Sequence, residues 1–161
     1  MAKARDVLGL LCDDPFGTTA ARVVSIRADE LFEYSEGVLD TSEIERLHNM
    51  RVASRRLRAA MEVFEPCFPR KRFRAALKQV KEIADALGER RDRDVSIIAL
   101  ETFAEALAAP DRRGIQGMID QLHEEQSLAN ERLAPFVDRR RLSDLRERIE
   151  ELVAVADRRA A

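Results

Sequence analysis

The chain has 161 residues, of which 45% are hydrophobic and 36% are charged, and this size suits one domain with one core over residues 1–161. It has no Trp, one Tyr and few Gly and Pro residues, a composition that favours helix over sheet. No apolar run approaches the roughly 20 residues that span a bilayer, and the short, acidic start does not fit a secretory signal. We therefore expect a cytoplasmic protein in which residues 1–15 form a loosely packed N-terminal segment.

Apolar residues recur at three- and four-residue intervals from residue 16 onward, which predicts helices. The first helix is expected over residues 16–39. Ser42 and Glu45 have the spacing of a capping box, so a second helix is expected to begin there and to run to about Phe64.

The third predicted helix begins in the basic run at residues 70–72 and ends at Gly88, since glycine suits the left-handed position that follows a helix. Asp92 or Asp94 is then placed to cap a fourth helix, which runs to about Leu107.

Two more helices complete the prediction, one over residues 111–137 and one over residues 142–155. The short connections between neighbours favour antiparallel packing. The sequence therefore predicts an all-α fold, an antiparallel helical bundle of about five or six helices.

Charge is unevenly distributed along the chain. The formal net charge of the whole chain is −2, but residues 46–93 carry a net charge of +8 and the remaining residues carry −10. Such segregation bears on partners rather than on the fold. The middle of the chain is a cationic module that suits an anionic partner.

Basic residues of the second helix recur on one side. At 100° per residue, His48, Arg51, Arg55 and Arg58 share one side, and a separate apolar side can face the core. The third helix repeats this plan. Its aligned cations are Lys71, Arg74, Lys78 and Lys81.

The two basic helix faces lie on one surface if the helices pack antiparallel through their apolar sides, and Arg90 or Arg91 can extend that surface. Like charges at this spacing destabilise a helix. Glu62 is the first acid after Glu45, so we expect Arg51, Arg55 and Arg58 to lack salt bridges within their own helix. Pairing with acids that cross over from the first or last helix remains open as the alternative.

Other functions were weighed against the same residues. A nucleic acid is attracted by any row of Arg and Lys, but these faces carry no aromatic residue for stacking on bases, which favours a featureless polyanion. A purely structural or scaffold bundle remains open.

Asp92 and Asp94 are the only nearby carboxylate pair for phosphoryl transfer, and their expected capping role argues against an enzyme. Cys12 and Cys67 have no metal-ligand spacing, and no metal or cofactor is expected.

Two segments carry a resemblance to a known family. HNMRVASRRLRA at residues 48–59 resembles the signature helix of the CHAD family, the conserved-histidine α-helical domains, and LGERRDRDV at residues 87–95 resembles a second stretch of that family. The resemblance implies a helical bundle that binds inorganic polyphosphate on a basic surface and can associate with polyphosphate granules. The implied polyphosphate-binding residues are His48, Arg51, Arg55, Arg58, Arg74, Lys78, Lys81 and Arg91.

The resemblance is to the first half of the family domain only, since typical members have two helical halves related by a pseudo-twofold axis. His123 lacks an arginine pattern and does not begin a second copy. Two chains can rebuild the two-half arrangement as a symmetric homodimer. The expected function is therefore binding of polyphosphate, or of a similar polyanion, without catalysis and without a membrane partner.

Overall fold

The computed structural model describes residues 3–160, with side chains to residue 158, so residues 1, 2 and 161 of the predicted domain lie outside it. Within this range the chain is helical, with no β-strand, and the predicted all-α bundle is confirmed with five α-helices. They are α1 (Phe16–Glu33), α2 (Ile44–Val63), α3 (Arg70–Glu105), α4 (Ala109–Leu133) and α5 (Arg139–Ala160). None of the helices in the described range is both long enough and apolar enough to cross a membrane.

One hydrophobic core lies between α1, α2, α5 and the first half of α3. α1 packs against α2 and α5, whereas α3 packs against α2 and, less extensively, against α5. Leu31, Leu47, Met50 and Phe73 are among the fully buried side chains of this core. Burying one such side chain stabilises the fold by about 1.5–3 kcal/mol. The apolar side of each helix therefore faces the core, and its polar side is left facing solvent.

α3 continues without a break through the point where the sequence predicts its end. Gly88 lies within the helix and does not have a positive φ, and the fourth helix predicted to start at Asp92 or Asp94 is the continuation of α3. The buried positions of α3 keep an alternating three- and four-residue spacing across this stretch: Phe73, Ala76, Val80, Ile83, Leu87, Arg90, Asp94 and Ile97. The predicted break was wrong. Arg90 and Asp94 interrupt the apolar pattern of the sequence, but both occupy buried positions of a continuous helix.

Beyond Gly88, α3 and α4 pair as a helical hairpin with buried residues of its own. Ile97 of α3 and Ile119 and Ala129 of α4 are buried, yet they lie outside the main apolar cluster. The hairpin therefore adds a second, smaller packing unit to the bundle.

A buried polar network joins α3 to α4 within this hairpin. Arg90 Nη1 donates a hydrogen bond to Asp94 Oδ1, and Gln126 Nε2 donates to the same oxygen at 2.7 Å. All three side chains are buried. A buried charge is tolerated only when it is paired and hydrogen-bonded. These contacts therefore explain how Arg90 and Asp94 can occupy buried positions of α3.

Several helix ends differ from the predicted ones. α1 ends at Glu33 rather than at residue 39, and the chain then turns at Gly37, whose φ of 70° lies in the left-handed region. The predicted capping box at the start of α2 is absent, because the Ser42 hydroxyl donates to Asp40 Oδ1 at 2.6 Å instead. α4 ends slightly earlier than predicted, and α5 extends beyond its predicted range at both ends.

The described residues ahead of α1 are held against that helix by polar contacts. Arg27 Nη2 donates to the backbone oxygen of Arg5 at 2.6 Å, and the backbone nitrogen of Arg5 donates to Glu30 Oε1 at 2.5 Å. Arg22 donates to the backbone oxygen of Gly9. These contacts hold the N-terminal segment along α1.

Candidate functional site

The four predicted basic residues of α2 lie on the side of that helix away from the core. Arg55 is exposed, whereas His48, Arg51 and Arg58 are half-buried. The apolar side predicted for the same helix is buried in the core: Met50, Leu57, Met61 and Phe64. α2 is therefore amphipathic in the way its sequence predicts.

α3 has the same division between its two sides over its first three turns. Lys71, Arg74 and Lys78 are exposed and Lys81 is half-buried. The residues that alternate with them, including Phe73, Val80 and Leu87, are buried. The basic residues of α2 and α3 together are called the α2–α3 face below, defined as His48, Arg51, Arg55, Arg58, Lys71, Arg74, Lys78 and Lys81.

Two contacts show how α2 and α3 are aligned. Lys81 Nζ lies 3.0 Å from Glu62 Oε1 near the end of α2. Arg51 Nε lies 3.9 Å from the place that a Cβ on Gly88 would take. Later residues of α3 thus face earlier residues of α2, so the two helices are antiparallel. In this register the turn of α3 that contains Arg91 is level with His48.

The cations of the face differ in how they are paired. Within the described part of the chain, His48, Arg51, Arg55 and Arg74 form no hydrogen bond or ion pair through their side chains. No acid in the described parts of α1 and α5 pairs with these four side chains. The alternative of pairing with crossing acids therefore does not apply to these residues.

Arg58 corrects the expectation that the three arginines of α2 lack partners within their helix. Its Nε lies 3.1 Å from Glu62 Oε1, in an i,i+4 pair on α2. Glu62 Oε1 is thus shared between Arg58 and Lys81, which come from different helices. The hydrogen bond from Lys81, followed by that from Arg58, lowers the pKa of the Glu62 carboxyl below its ordinary value.

A second carboxylate pairs with cations beside α3. Glu82 Oε2 accepts a hydrogen bond from Arg141 Nη2 at 2.7 Å, and its Oε1 lies 3.9 Å from Lys78 Nζ. The i,i+4 spacing of Arg58 with Glu62, and of Lys78 with Glu82, was available in the sequence as a signal for these pairs. The contact from Arg141 was not, because it depends on how α5 packs against α3.

Arg90 and Arg91, which follow one another at the end of the predicted basic surface, have different environments. Arg90 is fully buried in the network with Asp94 and does not extend the α2–α3 face. Arg91 is half-buried, and its Nη1 has no hydrogen-bond partner among the described residues. The predicted capping roles of Asp92 and Asp94 are wrong, since both lie inside α3.

Two shallow depressions border the basic residues of α3. One, of about 390 Å³, is lined by Arg74, Lys78 and Lys81 together with acidic residues that include Glu82. The other, of about 450 Å³, is lined by Arg70, Lys71 and Arg74. In the part of the chain that is described, no group of three or more His, Cys, Asp or Glu residues is placed to hold a metal ion.

The molecule is an all-α bundle in which two adjacent antiparallel helices carry rows of Arg, Lys and His on their outer sides. A family model described as CHAD domain matches residues 22–161. The match covers most of the chain, so the chain belongs to the CHAD family, as its resemblance predicted. CHAD domains are associated with polyphosphate binding in general. No curated protein and no solved structure matches the chain.

Proposed function

We propose that this protein binds inorganic polyphosphate, or a closely similar polyanion, on the α2–α3 face. The proposed binding residues are His48, Arg51, Arg55, Arg58, Arg74, Lys78 and Lys81 of this face, together with Arg91, whose turn of α3 is level with His48. The single observation that carries the proposal is the row formed by His48, Arg51 and Arg55 on one helix of a CHAD-family chain, without a partner from the described residues. Arg51 and Arg55 repel one another at this spacing, and a bound polyanion would supply the counter-charge.

The physical chemistry of the row favours a phosphate polymer. Guanidinium groups donate several charge-assisted hydrogen bonds to phosphate oxygens, and an imidazole ring adds another donor when it is protonated. Aligned side chains at three- and four-residue spacing follow the helix axis for about 15 Å between His48 and Arg58, at 1.5 Å per residue. A linear polyanion can therefore contact successive cations without a shaped pocket.

A binding titration tests the proposal. Long-chain polyphosphate is titrated at about physiological salt into the wild-type protein and into the triple variant Arg51→Ala, Arg55→Ala, Arg58→Ala. We expect the triple variant to bind at least about tenfold more weakly, because each lost phosphate contact removes part of the counterion-release term. A matched control replaces three exposed arginines of α4 and α5, Arg113, Arg139 and Arg158, by alanine and should bind like the wild type. Equal losses in both triple variants would contradict a site on α2.

Nucleic acid is the second candidate partner, and a competition experiment separates it from polyphosphate. The α2–α3 face has no aromatic side chain on which a base can stack, and its donors suit phosphate oxygens more than base edges. Duplex DNA at equal phosphate concentration should therefore displace bound polyphosphate poorly. Equal displacement would mean a general polyanion surface.

We also propose that the protein binds polyphosphate without hydrolysing it. The carboxylate pair that the sequence singled out, Asp92 and Asp94, is divided between an exposed position and the buried network of Arg90 and Gln126. The test is release of orthophosphate from polyphosphate in the presence of magnesium. Release that is lost in the Arg51→Ala, Arg55→Ala, Arg58→Ala variant would overturn this part of the proposal.

Two finer statements complete the proposal. One is that the protein associates with polyphosphate granules, which is tested by the position of a fluorescent fusion in cells that accumulate them.

The other is that two chains form a homodimer that doubles the basic surface. Light scattering at working concentration tests it, and a monomer would contradict it. A scaffold bundle without a ligand is the remaining alternative, and failure of wild-type binding would favour it.

A further inference from the structure

The cations of the α2–α3 face differ in the negative charge beside them. His48, Arg51 and Arg55 have no partner among the described residues. Further along α2, a single carboxylate oxygen, Glu62 Oε1, lies 3.1 Å from Arg58 Nε and 3.0 Å from Lys81 Nζ. The positions along the face are therefore not equivalent for an incoming anion.

The geometry around Glu62 matches what a phosphate oxygen would require. Charge-assisted hydrogen bonds from nitrogen to an anionic oxygen are about 2.7–2.9 Å long, and the two contacts of Glu62 are close to that range. One cation comes from α2 and the other from α3, so the oxygen lies between the helices, where a chain following the α2–α3 face would pass. While Glu62 Oε1 lies between these two nitrogens, a phosphate oxygen cannot occupy the same position.

Glu62 is also able to leave this position. Its side chain is 43% exposed, and no hydrogen bond within the described residues ties it to anything but Arg58 and Lys81. Exposed ion pairs contribute little to folding stability, since solvent and salt screen them. Displacement of Glu62 therefore does not require the bundle to change.

We propose that Glu62 is an internal competitor of the polyanion, whose carboxylate takes the place of a phosphate oxygen between Arg58 and Lys81 until a bound chain displaces it. This inference rests on the proposed function of the α2–α3 face. Its consequence is selectivity. A short anion is held by His48, Arg51 and Arg55 without meeting Glu62, whereas a chain long enough to reach Arg58 and Lys81 must displace a carboxylate to lie between them.

The test compares Glu62→Gln with the wild type, using long-chain polyphosphate and inorganic triphosphate as probes. Glutamine keeps the size of the side chain and removes its charge. We expect Glu62→Gln to bind long-chain polyphosphate about two- to tenfold more tightly than the wild type, a range set by the small contribution of exposed ion pairs. Its affinity for triphosphate should change less. Glu33→Gln is the matched control, because Glu33 is an exposed carboxylate that pairs with Arg5 of the N-terminal segment.

A double-mutant cycle gives the sharper result. If Glu62 acts by occupying Arg58 and Lys81, the gain from Glu62→Gln should vanish in a background that carries Arg58→Ala and Lys81→Ala. A gain that persists in that background, or an equal gain in Glu33→Gln, would show a general effect of net charge and overturn the inference. Circular dichroism melting of each variant verifies that it is folded.

The outcomes separate the two proposals. If wild-type protein does not bind polyphosphate, the proposed function fails. If it binds through Arg51 and Arg55 while Glu62→Gln has wild-type affinity for the long chain, only the role of Glu62 fails.

Discussion

Arg51, Arg55 and Arg58 share one side of α2 but not one electrostatic environment. Arg58 is paired with Glu62 four residues later, whereas Arg51 and Arg55 have no acid within reach among the described residues. The alignment of the arginines follows from helical periodicity and is readable from the sequence. The pairing by Lys81 is not, because it requires knowing how α3 lies against α2.

Arg51 and Arg55 should matter for binding and not for folding. Like charges at this spacing repel by a few tenths of a kcal/mol per pair, so Arg51→Ala and Arg55→Ala should leave the free energy of unfolding unchanged or slightly raised. Each should weaken polyphosphate binding and make it less dependent on salt. Urea unfolding and a salt series of binding titrations measure the two effects. A loss of stability above about 1 kcal/mol in either variant would indicate a structural role.

Glu62 should make a small, pH-dependent contribution to stability. Its pKa is lowered in the folded protein, so its contribution is present above the ordinary glutamate pKa of about 4.3 and is lost as pH falls through the lowered folded value. Wild-type protein should be more stable than Glu62→Gln at pH 7 by less than about 1 kcal/mol, since the pair is exposed. Urea unfolding at pH 7 and near pH 3 measures this difference. An equal difference at both pH values would contradict an origin in the ion pairs.

At the scale of the helices, α3 is where the sequence was misread. Periodicity correctly placed its first half and the amphipathic α2, because apolar residues fall at every buried position there. It failed from Gly88 to Asp94, because a glycine and two charged residues interrupt the apolar pattern while the buried repeat continues through them. Asp94 pairs with Arg90 four residues earlier, a spacing that the sequence displays, but its second partner, Gln126, comes from α4 and leaves no local signal.

Gly88 is expected to be replaceable, because it does not end a helix. Alanine is favoured over glycine inside a helix by about 0.5–1 kcal/mol, and an added Cβ would meet Arg51 Nε at 3.9 Å, an ordinary contact. Gly88→Ala should therefore raise the free energy of unfolding. Gly37→Ala is the contrasting control and should lower it, because Gly37 has a φ of 70° and a Cβ there would lie 3.2 Å from Arg46 Cδ. Thermal melting of both variants tests this. Destabilisation by Gly88→Ala would mean that the helix needs glycine there.

The hairpin of α3 and α4 should depend on its buried polar network. Asp94→Ala would leave the fully buried Arg90 without its carboxylate, a change that typically costs about 3–5 kcal/mol. The exposed pair between Arg132 and Glu89, at 2.6 Å, joins the same two helices, so Glu89→Gln is the control and should cost less than about 1 kcal/mol. Urea unfolding of both variants measures the contrast. Similar small losses in both would show that the network does not hold the hairpin.

For the whole molecule, charge segregation is the property that the sequence displays most clearly. A net charge of −2 conceals a segment of +8 within surroundings of −10, and the structure divides that segment between two adjacent antiparallel helices. The fold class and the family were predictable, since they rest on periodicity and on the motifs around His48 and Gly88. Which cations pair between helices was not predictable, because those ion pairs depend on tertiary packing.

Nuclear magnetic resonance mapping tests most directly whether a polyanion occupies the α2–α3 face. Short-chain polyphosphate, which keeps the complex small, is added to nitrogen-15-labelled protein, and the backbone and arginine Nε signals are followed. We expect the largest shifts in residues 48–58 and 71–91, with the signals of Arg51 and Arg55 among the first to move. Shifts centred on α5, or spread evenly over every arginine of the chain, would contradict it.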